Sequence, residues 1–188
     1  MKKTALLIIF MLITFLSFGQ MLPLSNQQLI RTSENIVSGK ILSSNAKWVN
    51  NGKYIYTFVV LKVDKVYSGA AKKGDLLTIV VPGGYDPVKD MGMQVSDQAE
   101  FEKGEEAILF LTKAEGECDA IDYSFLKKEP NVPSNVMRVN GAFQGKRKIF
   151  SDKKTGMKMI VVPNENKTEP LKSHNVKIEQ QLKLLKKD

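Results

Sequence analysis

Residues Tyr54 to Tyr67 read Tyr-Ile-Tyr-Thr-Phe-Val-Val-Leu-Lys-Val-Asp-Lys-Val-Tyr, the longest uninterrupted strand signal in the chain. Side chains alternate between the two faces of a strand. One face is apolar along most of its length and consists of Ile55, Thr57, Val59, Leu61 and Val63. The other face begins apolar and becomes charged at Lys62 and Asp64. Such a strand spans about 45 Å, too long for a flat, half-buried sheet, so we predict a coiled strand shared by two halves of a small β-barrel.

The amino terminus has the three-part plan of a secretory signal peptide. Lys2 and Lys3 precede the apolar run from Thr4 to Leu16, and a small-residue end follows. A retained membrane anchor is the alternative, but a run of about sixteen residues falls short of the roughly twenty that span a bilayer. We therefore predict a signal peptide over residues 1–19, cleavage after Gly19, no remaining transmembrane segment, and a periplasmic or extracellular location.

The composition indicates one folded domain without disulfide bonds. The chain has 188 residues, of which 43% are hydrophobic, so a substantial core is available. Cys118 is the only cysteine, which rules out an intramolecular disulfide. It lies between Glu117 and Asp119, whose charges disfavour a thiolate, so we interpret it as an unreactive residue.

The charge balance is positive. The formal net charge is +8, and removal of the signal peptide with its two lysines leaves +6. In an exported protein, this balance favours contact with anionic surfaces or glycans over nucleic acid. Solubility alone is also a sufficient reason for it.

The pattern predicts a helix at each end of the mature chain. Residues 20–32 contain a short helix, with Ser25 as its cap and Gln28 in the capping-box position. Residues 164–188 read as a polar linker followed by a basic amphipathic helix from Val176 to Lys187. Its apolar face is narrow, so we expect it to dock onto the barrel, with membrane-surface binding as the alternative.

Residues 33–163 form the predicted barrel domain. Strands are expected at Ile36–Leu42, Leu76–Val81, Ala107–Thr112, Ile121–Leu126, Val136–Phe143, Lys146–Ser151 and Met157–Val162. Gly39 lies inside the first of these, where glycine commonly marks a bulge. Asn50 to Lys53 is predicted to turn into the long strand, because Asn and Gly tolerate positive φ. Tyr85 to Gln98 reads as a long loop or crossing segment.

The order of these signals resembles a known family. An Ile-Val-x-Gly-x-Ile strand precedes Tyr-x-Phe-x-Val-x-Lys-Val-x-Lys-Val-Tyr-x-Gly, and the motifs Gly-Asp-x-Leu-x-Ile and Phe-x-x-Gly-Glu-x-x-Ile-Leu-Phe-Leu follow, with Gly141 to Lys146 last. The series, from Ser33 to Lys148, resembles a family of small exported bacterial domains. It is also similar in plan to the netrin-like module of the tissue inhibitors of metalloproteinases. The resemblance implies a mainly β, OB-like barrel of five strands.

The inhibitory residues of that module have no counterpart here. The animal inhibitors place an amino-terminal cysteine on the protease zinc, whereas this mature chain is expected to begin at Gln20 or Met21 with no cysteine nearby. Inhibition or assistance of an exported metalloprotease therefore stays an alternative function. It would need a protruding loop, such as Tyr85 to Gln98, that enters an active site.

Residues suited to catalysis or metal binding are scarce. His174, the only histidine, is predicted to be solvated near the carboxy-terminal helix, and a zinc site would need more histidines or cysteines than the chain has. Asp86, Asp90 and Asp97 form a loose acidic group whose spacing matches no calcium loop, so we interpret it as a solvated loop. We predict no enzyme, no catalytic residue, no metal and no cofactor.

Two sets of residues are candidate binding groups. The first is a predicted basic hairpin with an aromatic residue, which OB-like barrels use to hold extended ligands: Lys146, Arg147, Lys148, Phe150, Lys153, Lys154 and Lys158. Protection of a sheet edge by lysines is the alternative explanation. The second set is an aromatic cluster at one barrel end, for which core packing is an equal explanation: Trp48, Tyr54 and Tyr56.

Together these patterns predict a non-enzymatic, exported, OB-like binding domain of the cell envelope. Its expected partner is an envelope protein or a glycan, not nucleic acid, and the chain is expected to be a monomer. An anionic glycan, a lipid headgroup and an acidic protein patch all fit the basic hairpin.

Overall fold

The computed structural model describes residues 21–118, 121–128, 132–133, 135–165 and 167–185. The chain is mainly β, with a helix at each end. Its elements are α1 (Asn26–Thr32), β1 (Asn35–Val49), β2 (Tyr54–Ser68), β3 (Leu76–Pro82), β4 (Gly84–Asp86), β5 (Met91–Met93), β6 (Glu106–Lys113), β7 (Glu117–Cys118), β8 (Ile121–Asp122), β9 (Met137–Val139), β10 (Lys146–Ser151), β11 (Lys158–Val162), β12 (Lys167–Pro170) and α2 (Leu171–Leu185). Short 3-10 helices lie at Ser124–Lys128, Ala142–Gly145 and Pro163–Glu165. The predicted signal peptide, residues 1–19, lies outside the described residues.

Most strands belong to one mixed sheet of eight strands. Its order is β1-β2-β3-β9-β6-β10-β11-β12, and β1 also pairs with β6. The β3–β9 pairing is parallel, at Ile79 and Met137, and the other pairings in the sheet are antiparallel. Strands β4 and β5 form a separate hairpin, as do β7 and β8. Among the described residues, no helix is both long and apolar enough to cross a bilayer.

The long central strand predicted from the sequence is β2. Its constant face is buried at Ile55, Val59, Leu61 and Val63. On its other face, Phe58 is buried whereas Lys62 and Asp64 are exposed, so the predicted change of environment along the strand is confirmed. Residues 50–53 form the predicted turn, with positive φ at Asn50, Asn51 and Gly52.

Gly39 marks a bulge, as predicted. The register between β1 and β2 shifts between Ser38 and Gly39. A Cβ atom on Gly39 would lie 2.1 Å from the carbonyl oxygen of Lys62, so only glycine allows the two strands to approach this closely. Gly39 and Lys40 still pair with both β2 and β6, and a further shift, between Ile41 and Ser43, precedes the part of β1 that pairs with β2 alone.

Three apolar clusters form the core. The inner core is lined by β1, β2, β3, β6 and β9 and includes Val37, Ile41, Val59, Leu61, Val63, Ile79, Leu109, Leu111 and Val139. The helix-side core lies under α1 and α2 and includes Leu29, Ile30, Ile36, Ile108, Phe110, Ile149, Ile160 and Ile178. The loop-side core includes Val49, Tyr56, Phe58, Val80, Tyr123, Leu126 and Val136. Strand β6 is buried on both faces, as predicted, because it serves the inner and the helix-side core at once.

The two helices are confirmed with one change of boundary. In α1, the Ser25 side chain accepts from the Gln28 amide and the Gln28 side chain accepts from the Ser25 amide, which is the predicted capping box. Helix α2 packs Ile178 into the helix-side core and begins at Leu171, earlier than predicted. The segment predicted as a polar linker contains β12, because its main chain pairs with β11 regardless of its polar side chains.

Two predicted strands are shorter than expected. The Val136–Phe143 prediction is a strand only at β9, because Gly141 adopts a left-handed conformation with φ of 65° and starts a 3-10 helix. The Ile121–Leu126 prediction is a strand only at β8, and the 3-10 helix Ser124–Lys128 follows it. In both cases, the alternation of apolar residues predicts extended backbone, but a 3-10 helix follows the short strand.

Candidate functional site

The lysines of the β10–β11 hairpin are largely paired with acidic residues. Lys146 Nζ lies 2.7 Å from Glu105 Oε1, and Lys148 Nζ lies 3.6 Å from Glu102 Oε2. Lys158 forms an ion pair with a third carboxylate of the same acidic segment, Glu106. These pairs compete with any external anion for the same ammonium groups, so they weaken the hairpin as an anion-binding surface.

Arg147 was predicted to line the basic surface, and this placement is wrong. Its side chain is only 1% exposed, because even-numbered and odd-numbered residues of β10 point to opposite faces and Arg147 faces inward. Its Nη2 donates to Asn26 Oδ1 over 3.0 Å, Nη1 donates to the Gln144 carbonyl oxygen, and the guanidinium lies 5.5 Å from the Phe110 ring centre. Burial lowers the pKa of Arg147 to about 10.

The exposed remainder of the hairpin is small. Phe150 is 37% exposed, and Lys153 and Lys154 lie at the turn. Asp152 organises this turn, since its Oδ1 accepts from the amides of Lys154 and Thr155 at 2.9 and 2.8 Å. The hydrogen bonds from Thr155, and then that from Lys154, lower the pKa of Asp152 below its usual range. The structure thus brings two exposed lysines together here, not a continuous basic surface.

The predicted aromatic cluster is divided between two faces of the sheet. Tyr56 packs in the loop-side core, its ring centre 5.2 Å from that of Phe125, so its assignment to a binding surface is wrong. Tyr54 lies 6.4 Å from Phe125 and stays exposed. Trp48 points to the opposite face, because the register places it across from Ile55. The sequence pattern could not fix this register.

Trp48 instead anchors the β4–β5 hairpin. Its Nε1 donates to Asp86 Oδ2 over 2.8 Å, and Lys89 Nζ lies 5.0 Å from the indole ring centre. Asp86 Oδ1 accepts from the Val88 amide, and Tyr85 donates its hydroxyl hydrogen to Asp90. Partial desolvation raises the pKa of Asp86, but these hydrogen bonds outweigh it and hold the pKa below its usual value. Two members of the predicted acidic group, Asp86 and Asp90, therefore stabilise the hairpin by accepting hydrogen bonds.

An open groove lies on the outer side of β1, β2 and β3, and sequence analysis missed it. Its volume is about 410 Å³. Its lining includes Ser43, Asn45, Lys47, Val49, Phe58, Val60, Thr78, Val132 and Pro133. The register pairs Ser43 with Val60 and Val60 with Thr78, so an apolar floor on β2 is flanked by hydroxyl groups on both neighbouring strands.

Lysines stand at both ends of this groove. Lys47 Nζ lies 5.8 Å from the ring centre of Phe58 at one end. Lys40 and Lys62 lie directly opposite one another beyond the other end. Among the described residues none of these three forms an ion pair, and Glu106, which faces Lys40 from β6, is bound to Lys158. Like charges directly opposite each other destabilise a sheet, so the fold gains nothing from Lys40 and Lys62.

A second cavity, of about 520 Å³, lies beside the amino-terminal segment. The buried Gln144 side chain fixes this segment: Oε1 accepts from the Leu24 amide over 2.6 Å, and Nε2 donates to the Leu22 carbonyl over 3.1 Å. Gln144 was not singled out in the sequence, because nothing in its neighbourhood distinguishes it from a surface amide. Its role is to hold Leu22 to Leu24 against the body of the protein.

His174 was predicted to be solvated, and this is wrong. It lies inside α2 and is only 1% exposed, with Nδ1 2.5 Å from Glu169 Oε1. The early start of α2 turns this position towards the sheet. Burial lowers the pKa of His174, the nearby Arg147 and Lys177 lower it further, and Glu169 acts in the opposite direction.

Catalytic geometry and relatives give no further guidance. Within the described residues, no three His, Cys, Asp or Glu side chains are grouped so that they could hold a metal ion. Comparison with protein-family models, with curated proteins and with solved structures finds no match to this chain. The function has to be argued from the geometry of the groove and its lysines.

Proposed function

We propose that this chain is an exported, non-enzymatic binding domain that holds an anionic glycan chain in the open groove. The observation that carries the proposal is the placement of lysines, which form no ion pair among the described residues, at one end of an open, partly apolar groove and beyond its other end. Lys40 and Lys62 destabilise the sheet by their mutual repulsion. A ligand that binds both side chains explains why the two residues are found there.

The strand pairings support an OB-like barrel as the framework. Strand β1 pairs with β2 and β6, β2 pairs with β3, β3 with β9, and β9 with β6. Followed in order, these pairings return to β1, which is the connectivity expected of a small barrel of five strands. In barrels of the OB type, this outer face of the first strands binds oligonucleotides and oligosaccharides.

The groove offers the groups that a sugar chain requires. Val60, together with the small exposed part of Phe58, provides an apolar floor, and Ser43 and Thr78 provide hydroxyl groups beside it. Lys47 at one end and the Lys40–Lys62 pair beyond the other suit carboxylate or sulfate substituents spaced along the chain. An extended polymer that lies across the three strands would meet all of these groups.

Export supports a glycan as the ligand. The basic start, apolar run and small-residue end of residues 1–19 favour a cleaved signal peptide and a location in the periplasm or outside the cell. Nucleic acid is scarce in those locations, whereas anionic envelope polymers are abundant. The net charge of +6 left after cleavage draws the domain towards such polymers.

A metalloprotease partner is the second candidate. The β4–β5 hairpin protrudes with Val88 92% exposed, and Tyr85 and Met91 are also exposed. Hydrogen bonds within the hairpin, and one from Trp48 on β1, preorganise its tip. This lowers the entropy cost of inserting the tip into a cleft. Inhibition assays on exported metalloproteases test this candidate, and a Val88→Glu variant should lose any inhibition that is found.

Titration of the purified protein with polygalacturonate, heparin and uncharged dextran tests the glycan proposal. We expect the two polyanions to bind and dextran to bind much more weakly. The double variant Lys40→Ala/Lys62→Ala should weaken polyanion binding by about tenfold, since two charged contacts are lost.

The double variant Lys153→Ala/Lys154→Ala is the matched control, because it removes the same charge from an exposed turn that does not line the groove. It should keep affinity within about twofold of the wild type. Equal losses in both variants would show that binding depends on net charge and not on the groove. Absence of binding to either polyanion would refute the proposal.

A further inference from the structure

Glu169 on β12 lies close to basic side chains from two other elements. His174 Nδ1 lies 2.5 Å from its Oε1, and Lys177 donates to its Oε2; both partners belong to α2. Arg147, from β10, acts electrostatically on both Glu169 and His174. The Glu169 carboxylate thus joins the helix to the sheet. It contacts His174 and Lys177 directly and interacts electrostatically with Arg147.

This cluster has little access to water. His174 and Arg147 are buried, and only 12% of the Glu169 side chain is exposed. His174 Nε2 is buried and has no hydrogen-bond partner among the described residues. A neutral imidazole fits this environment, with Nδ1–H donating to Glu169. A proton on Nε2 would be a buried donor without an acceptor and would place a third positive charge against one carboxylate.

The remaining contacts of α2 with the sheet do not depend on His174. Ile178 packs in the helix-side core, with Leu182 and Leu185 against it. Lys65 Nζ lies 2.9 Å from Glu179 Oε1 on an exposed surface, and Tyr67 donates to Asn175 Oδ1 over 2.6 Å. The helix is therefore held by an apolar face, two peripheral contacts and the buried cluster.

We propose that the buried His174–Glu169 pair makes the attachment of α2 to the helix-side core sensitive to acid. We call this arrangement the clasp. Protonation of His174 favours a state in which α2 is detached and the apolar surface around Ile108 and Phe110 is accessible. The charged groups that face His174 are Glu169 from β12, Arg147 from β10 and Lys177 from α2. From β11 and α1, the helix meets apolar residues of the helix-side core, and Arg31 at the end of α1 is exposed.

The direction of the pH effect follows from the two states of His174. In the closed state burial lowers its pKa, whereas in the detached state the imidazole regains a value near 6.5. The detached state thus binds protons more readily, so detachment increases as the pH falls below about 6.5 and stops increasing below the pKa of the closed state. The closed-state pKa values of Glu169 and Glu179 lie below 4.5, so these carboxylates act only at lower pH.

Amide hydrogen exchange between pH 7 and pH 4.5, corrected for intrinsic exchange rates, tests the clasp in the full mature protein. We expect the opening reaction that exposes the amides of α2 to have a lower free energy than the opening reaction that exposes the amides of Val59 and Leu61 in β2. The α2 opening constant should rise by up to about tenfold per pH unit below 6.5. Equal protection of α2 and β2, or a pH-independent α2 opening, would overturn the proposal.

Two further measurements remove the remaining ambiguity. His174 is the only histidine, so its ring signal in NMR reports its pKa directly, and a value of 6.5 or higher would overturn the clasp. His174→Asn keeps a donor towards Glu169 without titrating and should abolish the pH dependence of α2 opening. Glu179→Gln, the exposed control on the same helix, should retain it. If His174→Asn retained the pH dependence, the proposal would fail; if that variant did not fold, the wild-type ring titration would decide.

Discussion

The helix-side core and the open groove differ in how the basic residues around them are paired. On the helix-side core, the basic groups are buried or paired: Arg147 bonds to Asn26, and His174 and Lys177 bond to Glu169. Beyond one end of the open groove, Lys40 and Lys62 face each other, and no carboxylate in the described part of the chain is paired with either. Both regions carry similar residue types, although the charged helix-side residues come from β10, β12 and α2 and the two lysines come from β1 and β2.

The difference shows that composition does not reveal which basic residues serve the fold. A buried cation requires partners, and the helix-side region supplies them from three elements. An exposed lysine beside another lysine requires nothing from the fold and is available to a ligand. The predictions below test this contrast, from the largest expected effect to the smallest.

Phe110→Ala should break the helix-side region. Phe110 is fully buried beneath the helices and also carries the Arg147 guanidinium over its ring, so its loss leaves a cavity beside a buried charge. We expect the free energy of unfolding to fall by about 3–5 kcal/mol, measured by chemical denaturation. Phe150→Ala, a partly exposed control on β10, should cost less than about 1 kcal/mol. Similar losses for both would show that the helix-side core is not packed as described.

Gly39→Ala should strain the bulge between β1 and β2. The new Cβ would meet the Lys62 carbonyl oxygen at 2.1 Å, and both groups are fixed by the β1–β2 ladder. We expect a loss of about 1–3 kcal/mol in the free energy of unfolding. Asn45→Ala, at an exposed position of the same strand, should change stability by less than about 0.5 kcal/mol. A stable Gly39→Ala protein would mean that the strands separate easily at this point.

The sequence predicted the elements whose signal is local. The alternation in β2, the Ser25–Gln28 capping box and the positive-φ turn at Asn50 to Gly52 each depend on a few neighbouring residues, and all are confirmed. Strand β12 was missed because its pairing with β11 is made by main-chain groups of a polar segment. A pattern of side chains carries no information about such pairing.

The candidate sites were harder to predict because they depend on register and on distant partners. Trp48 was grouped with Tyr54 and Tyr56, but the β1–β2 register sends it to the opposite face. Arg147 and His174 are buried, contrary to the sequence prediction, because the elements that cover them come from distant parts of the chain. The open groove depends on the alignment of three strands and on the register shift between Ile41 and Ser43, which a single stretch of sequence does not reveal.

Gln144→Ala should release the amino-terminal segment next to the helix-side region. It removes the two hydrogen bonds that hold Leu22 and Leu24, so we expect a loss of about 1–2 kcal/mol in the free energy of unfolding. Limited proteolysis should show faster cleavage near Leu24. Gln94→Ala, at an exposed amide, is the control and should leave both measurements unchanged. Unchanged proteolysis of Gln144→Ala would show that the segment is held by other contacts.

Lys40→Ala/Lys62→Ala should leave the stability almost unchanged, which tests the contrast at the groove directly. The two ammonium groups repel each other across the β1–β2 ladder, so their removal should change the free energy of unfolding by less than about 0.5 kcal/mol, or raise it slightly. Lys146→Ala is the informative comparison, because Lys146 neutralises the buried Glu105 at 2.7 Å and should be needed for stability. If the double variant were destabilised as much as Lys146→Ala in thermal and chemical denaturation, Lys40 and Lys62 would serve the fold. The difference between the two regions would then give no reason to place a ligand in the groove.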